Sequence, residues 1–312
     1  MENILLTPRN KVNKRNSLIE LYRFLFSLNV VKGHGLFITD GPYFSLARTA
    51  VEFFFILTGF LFASYLEKNR HLSFKESVVK LLRSKLSPII IPLIIGIASN
   101  LISSIVAYNG EIKTWGYLWY VKDMLLACLF YVILRKLIKA DNVFLWVTAG
   151  ICIAATILKF FGPFYTWGYF RAASTLSLGI LVGKLPKLKL KKKWPVWIML
   201  VPVITACLTI VCFGLGDVLL GEVKLVEIIL DVLLYPALVY LTFQVDVKNK
   251  VMNYLGALSF GFYAFQCPAD LLRTLGIGNP LTWFALIVIA SVAEERIKQL
   301  WFNKESLLPK TK

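Results

Sequence analysis

Apolar and polar residues alternate along the chain in long blocks. Ten apolar stretches run roughly over 17–38, 44–66, 86–107, 117–138, 142–161, 168–185, 196–214, 224–244, 254–275 and 281–302, most of them bounded by charge, Gly, Pro or Asn. A bilayer core takes about 20 mostly apolar residues per helix. Lipid offers no partner to backbone N–H and C=O groups, so such stretches span as helices. The pattern predicts an all-α polytopic membrane protein of about ten transmembrane helices. The intervening segments are short, which leaves no room for a soluble domain. The expected organisation is one transmembrane domain over 1–312, with cytosolic tails 1–16 and 303–312. The first stretch holds Arg23, Lys32 and His34 and lacks a small-residue cleavage site, so it reads as a retained helix, not a signal peptide.

Composition sharpens this picture. The chain is 57% hydrophobic and 17% charged, against about a quarter charged in soluble domains. Its net charge of +17 would suggest a nucleic-acid partner in a soluble protein, but its distribution excludes that reading. Twenty-six basic residues lie before the first stretch, in the second, fourth, sixth and eighth loops, and in the tail. The opposite side has three, Lys113, Lys224 and Arg273. By the positive-inside rule both termini are cytoplasmic. The lysine run over 187–193 fits this topology; attraction of an anionic cytosolic cofactor is a secondary reading. Cys128, Cys152, Cys207, Cys212 and Cys267 are scattered without CxxC spacing, so neither a disulfide framework nor a metal site is expected.

Ionisable residues inside a membrane are costly and face a cavity or a partner. Here they include Glu20, Arg23, Lys32, His34, Arg48, Glu52, Lys122, Asp123, Lys159, Arg171, Glu227, Asp231 and Asp270. Lys159 is expected to snorkel to an interface. Glu227 and Asp231, one turn apart, suit a structural pair or a substrate contact equally. In the first stretch Arg23 and His34 are separated by about 20° around a helix and about 16 Å along it. Glu20 and Ser27 share their stripe. One reading of it is an ion pair, Glu20 with Arg23, plus a core histidine; the other is a functional polar face. In the second stretch Arg48 and Glu52 can pair at i,i+4, and Gly59 lies close to the same face, where a neighbouring helix can approach.

These residues fall in blocks that resemble the membrane-bound acyltransferase family 3, the ten-helix bacterial O-acyltransferases. The family's Arg, ten residues, then His is matched by Arg23 and His34 within IELYRFLFSLNVVKGH. Its second-helix block, an acidic residue followed by FFVLSGFL, is matched by Glu52, Phe53 and FFILTGFL. A basic stretch ending in proline, LLRSKLSP, holds Arg83, Lys85 and Pro88. LWY begins at Leu118, LSLGILVG at Leu176 and LGALSFGFYAFQCP at Leu255. Several blocks in the right order, across nearly the whole chain, make the likeness specific. One position departs: Gln266 stands where the family often has a His. A glutamine can hydrogen-bond but not exchange protons, which places the burden of catalysis on His34.

The resemblance implies an acyl-coenzyme A donor, most simply acetyl-CoA. It implies an extracytoplasmic glycan or lipid-linked sugar hydroxyl as acceptor, and a multi-pass location in the bacterial plasma membrane, with no nucleic acid. Homo-oligomers are compatible with it. Family members commonly carry an SGNH hydrolase-like domain; without one this chain is expected to act alone or with a separate partner. On this basis His34 is the expected catalytic base, oriented by Glu52, or else an acyl relay. Arg23, Arg83 and Lys85 are expected to hold the cofactor, because guanidinium and ammonium groups suit phosphate. Arg48, Lys122, Arg171 and Gln266 are the expected substrate-binding residues. Trp115, Trp119, Tyr120, Trp167 and Tyr169 suit an interfacial belt better than sugar stacking. Two alternatives come from other classes: a small-molecule transporter, for example of an amino acid, built on the same fold, and a catalytically idle assembly subunit.

Overall fold

The computed structural model describes residues 16–34, 44–107, 118–162, 168–188, 194–213 and 223–307; within its helices the side chains of 44–48, 194–195, 208–213, 223–224 and 301–307 are outside that description. Every regular element among these residues is helical. They are α1 (Ser17–Gly33), α2 (Phe44–Lys68), α3 (Phe74–Leu86), α4 (Ile90–Ala107), α5 (Trp119–Leu137), α6 (Asp141–Phe161), α7 (Gly168–Gly183), α8 (Trp194–Phe213), α9 (Val223–Ile229), a π-helical turn (Leu230–Leu234), α10 (Tyr235–Thr242), α11 (Lys250–Ala264), α12 (Gln266–Thr274) and α13 (Pro280–Leu307).

Each of the ten expected stretches is mostly helical over its described residues, but not all are plain apolar spans. Among the described residues, three helices are long and apolar enough to cross a membrane: Thr49–Lys68, Asp141–Phe161 and Leu225–Thr242. A fourth qualifies if α3 and α4, bent by 76°, form one broken span. The others depart for visible reasons. α5 carries Lys122, Asp123, Arg135 and Lys136. α7 has only 16 residues. The ninth stretch breaks at Phe265, which ends α11 and starts α12. Pro268, in the first turn of α12, lacks the N–H that would continue α11. α3 corrects the expectation of a second loop. It is a separate helix, opened by a capping box in which Ser73 and Glu76 satisfy each other's backbone N–H, and Pro88 lies in the 3-10 turn before α4.

Two helix pairs form the frame. The first is α2 against α7. A Cβ on Gly59 would strike the Leu176 carbonyl and the Gly179 Cα, and one on Gly179 would strike the Ile56 carbonyl. Gly183 meets Phe60 and Ala63 in the same way. The FFILTGFL and LSLGILVG blocks are therefore two halves of one small-residue contact, in which backbones touch because no side chain intervenes. Positions on the two helices advance together along this contact, so α2 and α7 run parallel.

The second pair is α1 against α11 and α12. Asn16 caps α1, its Oδ1 accepting from the Leu18 N–H at 3.0 Å. Its Nδ2 donates to the Thr242 and Val245 carbonyls, each at 2.6 Å. The Asn249 N–H donates to Ser17 Oγ at 2.7 Å. Further along, Gly256 leaves just enough space for Glu20, and Val31 is buried with Ala269, Trp283 and Ile287. These contacts also advance together, so α1 runs parallel to α11 and α12.

The α2–α7 contact generates a stability prediction. Gly179→Val would force a branched side chain against backbone that cannot rotate away. It should cost at least the about 1–3 kcal/mol typical of overpacking. Gly150→Ala, whose Cβ would meet nothing within 4 Å, should be neutral. Thermal unfolding of the two purified variants in detergent checks the contrast; equal midpoints would refute the close approach.

Candidate active site

Helix α1 is unbroken from Ser17 to Gly33, so the stripe expected from sequence extends along it. Arg23 donates from Nη1 to Glu20 Oε2 at 2.7 Å, and its side chain keeps 33% of its surface exposed. The ion-pair reading of these two residues is thus part of the structure, and the Arg23 side chain stays partly exposed. The Tyr120 hydroxyl lies 3.3 Å from Thr58 Oγ1. The Tyr120 ring meets Tyr263 edge-on at 5.7 Å. The LWY block, the FFILTGFL block and the ninth-stretch block therefore converge at Tyr120. His34 sits at the other end of α1, as its C-cap. Its carbonyl accepts a hydrogen bond from Arg273 Nη1 at 2.7 Å.

The deepest polar feature is a cluster of four buried charges from four elements. Glu52 Oε1 on α2 lies 2.8 Å from Lys159 Nζ on α6 and 2.6 Å from Arg171 Nη2 on α7. Lys159 also reaches Asp231 Oδ2, in the π-helical turn, at 2.6 Å. One sequence expectation is corrected here. Lys159 does not snorkel: it is 0% exposed, because an ammonium with two carboxylates beside it is compensated in place, whereas an unpaired one would have to reach water. Among the described residues the cations on Glu52 are Lys159 and Arg171; sequence had offered it His34. Arg171, expected at the acceptor, is itself buried against Glu52. Around the cluster, Tyr235 donates to Thr49 Oγ1 at 2.9 Å, and Glu227, one turn before Asp231, is buried as well.

The remaining candidates are dispersed. Lys122 lies 3.6 Å from Asp123 and over the Tyr169 ring at 4.9 Å. Arg83 and Lys85 occupy the last turn of α3. The Arg48 side chain lies outside the described residues. Gln266 opens α12 and is fully buried. Its Nε2 donates to the Phe262 carbonyl at 3.2 Å, while its Oε1 has no hydrogen-bond partner in the structure. The candidates thus separate into a part-exposed group at Arg23, a buried brace at Glu52, and an end-of-helix group at His34. Lys159 was visible in sequence as an intramembrane charge, but its partners are 107 and 72 residues away, and no local pattern indicates them.

The cluster makes its own prediction. Lys159→Met would leave Glu52 and Asp231 buried with Arg171 as the remaining cation, and breaking a buried pair from one side costs about 3–5 kcal/mol. Arg70→Ala removes a far more exposed partner of Asp141 and should cost under about 1 kcal/mol. Unfolding midpoints of the two variants should differ accordingly; a Lys159→Met protein as stable as the parent would rule out the brace.

Comparison with known proteins places these features in context. The family model described as an acyltransferase domain matches residues 16–293, from the cap of α1 into α13. No curated protein and no solved structure matches the chain. The match takes in Arg23, His34, Glu52 and Gln266 and every motif block that meets in the fold. The chain belongs to this acyltransferase family.

Proposed function

We propose that the chain is an integral-membrane O-acyltransferase. In this reading it moves an acyl group, acetyl in the simplest case, from cytosolic acyl-CoA to a hydroxyl of an extracytoplasmic glycan or lipid-linked sugar. The observation that carries the proposal is α1 itself. It holds a partly exposed Arg23 within its length and ends on His34, and it belongs to a family of acyl-transfer enzymes. Arg23 suits the phosphates of the donor, because one Nη serves Glu20 and a third of the side chain remains exposed. Arg83 and Lys85 add positive charge at the end of α3. His34 takes the acceptor hydroxyl's proton. The oxygen then attacks the thioester carbonyl, the C–S bond breaks, and the imidazolium returns the proton to the departing thiolate. In the relay version, His34 carries the acyl group between donor and acceptor. Gln266, with an open acceptor oxygen, and Lys122 stand as substrate contacts.

The parallel pairings of α2 with α7 and of α1 with α11–α12 fit ten alternating spans, and the basic loops put both termini in the cytoplasm. They join the second stretch to the sixth and the first to the ninth, pairs that alternation makes parallel. A bacterial plasma membrane fits the family resemblance. No observation favours the transporter alternative.

Two measurements test the proposal. His34→Ala should lower transfer of labelled acetyl from acetyl-CoA to membrane glycan by about 10²–10⁴-fold, while acetyl-CoA still binds. Arg23→Ala should instead weaken acetyl-CoA binding, by about 1.5–3 kcal/mol. Mass spectrometry after incubation with acetyl-CoA alone separates base from relay through an acetyl adduct on His34. Undiminished transfer by His34→Ala would sink the proposal. For topology, cysteines at Gly41 and Lys191 should label from opposite sides of intact cells; labelling of both from one side would overturn the alternation.

A further inference from the structure

We propose that Arg273 is the positioning residue for His34, an inference that rests on the proposed role of His34 as the base or relay. From sequence Arg273 is only a loop charge, one of three basic residues on the sparse side. The structure gives it a defined task. The last carbonyls of an α-helix have no partner within the helix, and the carbonyl that caps α1 is that of His34. Arg273 Nη1 donates to it at 2.7 Å, across a sequence separation of 239 residues. The other terminal nitrogen, Nη2, is paired with the Asp270 carboxylate, one turn earlier on α12. The guanidinium fork is thus divided: one nitrogen is fixed by its own helix and the other holds α1. A cation at this place also suits the negative end of the α1 dipole.

The seat of Arg273 is rigid. Helix α12 ends in a Schellman motif. The Gly276 N–H donates to the Arg273 carbonyl at 3.0 Å and the Ile277 N–H to the Leu272 carbonyl at 2.9 Å, with Gly276 at φ +70°, a conformation that favours glycine. Trp283 Nε1 fastens the exit by donating to the Ile277 carbonyl at 2.7 Å. One turn before His34, Val31 is fully buried against the same helix and its neighbour, with Ala269, Trp283 and Ile287. Apolar packing sets the approach of α1, and the Arg273 bond sets where its final residue stops. Because that bond is to the main chain of His34, it fixes the origin of the imidazole without occupying either ring nitrogen. The same short helix begins with Gln266, so one element holds His34 at its far end and presents a buried amide at its start.

The test uses the full chain in membranes, with labelled acetyl-CoA as donor and endogenous membrane glycan as acceptor. Arg273→Ala should lower kcat on the order of 10²-fold, the scale of a catalytic group displaced by about 1 Å. KM for acetyl-CoA and the unfolding midpoint should be unchanged. Arg273→Lys should recover part of the rate, since an ammonium still donates to a carbonyl, and Asp270→Asn should give a smaller loss. If Arg273→Ala fails to fold, Arg273→Gln and Asp270→Asn carry the test; failure of all three to fold would mark Arg273 as a general brace and overturn the proposal. Full transfer by Arg273→Ala beside an inactive His34→Ala would overturn it while leaving the acyltransferase reading intact. A parallel fall in stability and rate would also overturn it. Activity in His34→Ala would instead remove the reading on which it rests.

Discussion

Four charges with almost no access to water constrain this molecule more than any other group of residues. Glu52, Lys159, Arg171 and Asp231 balance as two anions and two cations. None of them is tolerable alone at that depth. Their meeting therefore requires that α2, α6, α7 and the π-helical turn converge at one level. The glycine contact between α2 and α7 makes this feasible. Gly59 lies two turns beyond Glu52, and Gly179 two turns beyond Arg171. Where backbones touch at the glycines, the charged ends of the same helices are brought within reach. Packing and electrostatics here are one arrangement, because neither could be kept with the other removed.

Helix α1 stands outside this cluster and is fixed differently. At its start, Asn16 and Ser17 join the chain between α10 and α11. At its end, Arg273 holds the His34 carbonyl. The first attachment joins the side chains of Asn16 and Ser17 to main-chain groups, and the second joins the main chain of His34 to a side chain, so together they set the height and rotation of the helix. Between them, Glu20 fits over Gly256 and pairs with Arg23. The neutralising partner of Arg23 is thereby itself held in place.

The helices were legible in the sequence because their signal is local: apolar runs interrupted by charge or turn residues. The motif blocks were legible too, and Gly59 was rightly singled out for close approach, although its partners on α7 were not foreseen. What escaped was pairing. The cations described beside Glu52 come from α6 and α7, whereas sequence offered His34 from the neighbouring helix and Arg48, whose side chain lies outside the described residues. Lys159 resembled a snorkelling residue because nothing within one turn of it is acidic. The separate helix α3 was hidden because its capping box lies in a segment too charged to suggest a span. The break at Phe265 was hidden by a sequence that stays apolar through it. Arg273 read as topology, since its role is defined only by a carbonyl on a helix at the opposite end of the chain.

The π-helical turn has a further consequence. The Tyr235 N–H donates to the Leu230 carbonyl, five residues back, so this turn holds one more residue than an α-helical turn would. Everything after it is rotated by that one step, about 100°. Asp231 reaches Lys159 from within the turn, and Tyr235, Leu238 and Val239 remain buried beyond it. A single-residue deletion between Leu230 and Leu234 would restore a regular helix while leaving its hydrophobicity nearly unchanged. It would also swing those buried side chains off their face. This span can thus absorb changes of residue identity more readily than changes of residue number, and its reading frame of faces is as much a determinant as its composition.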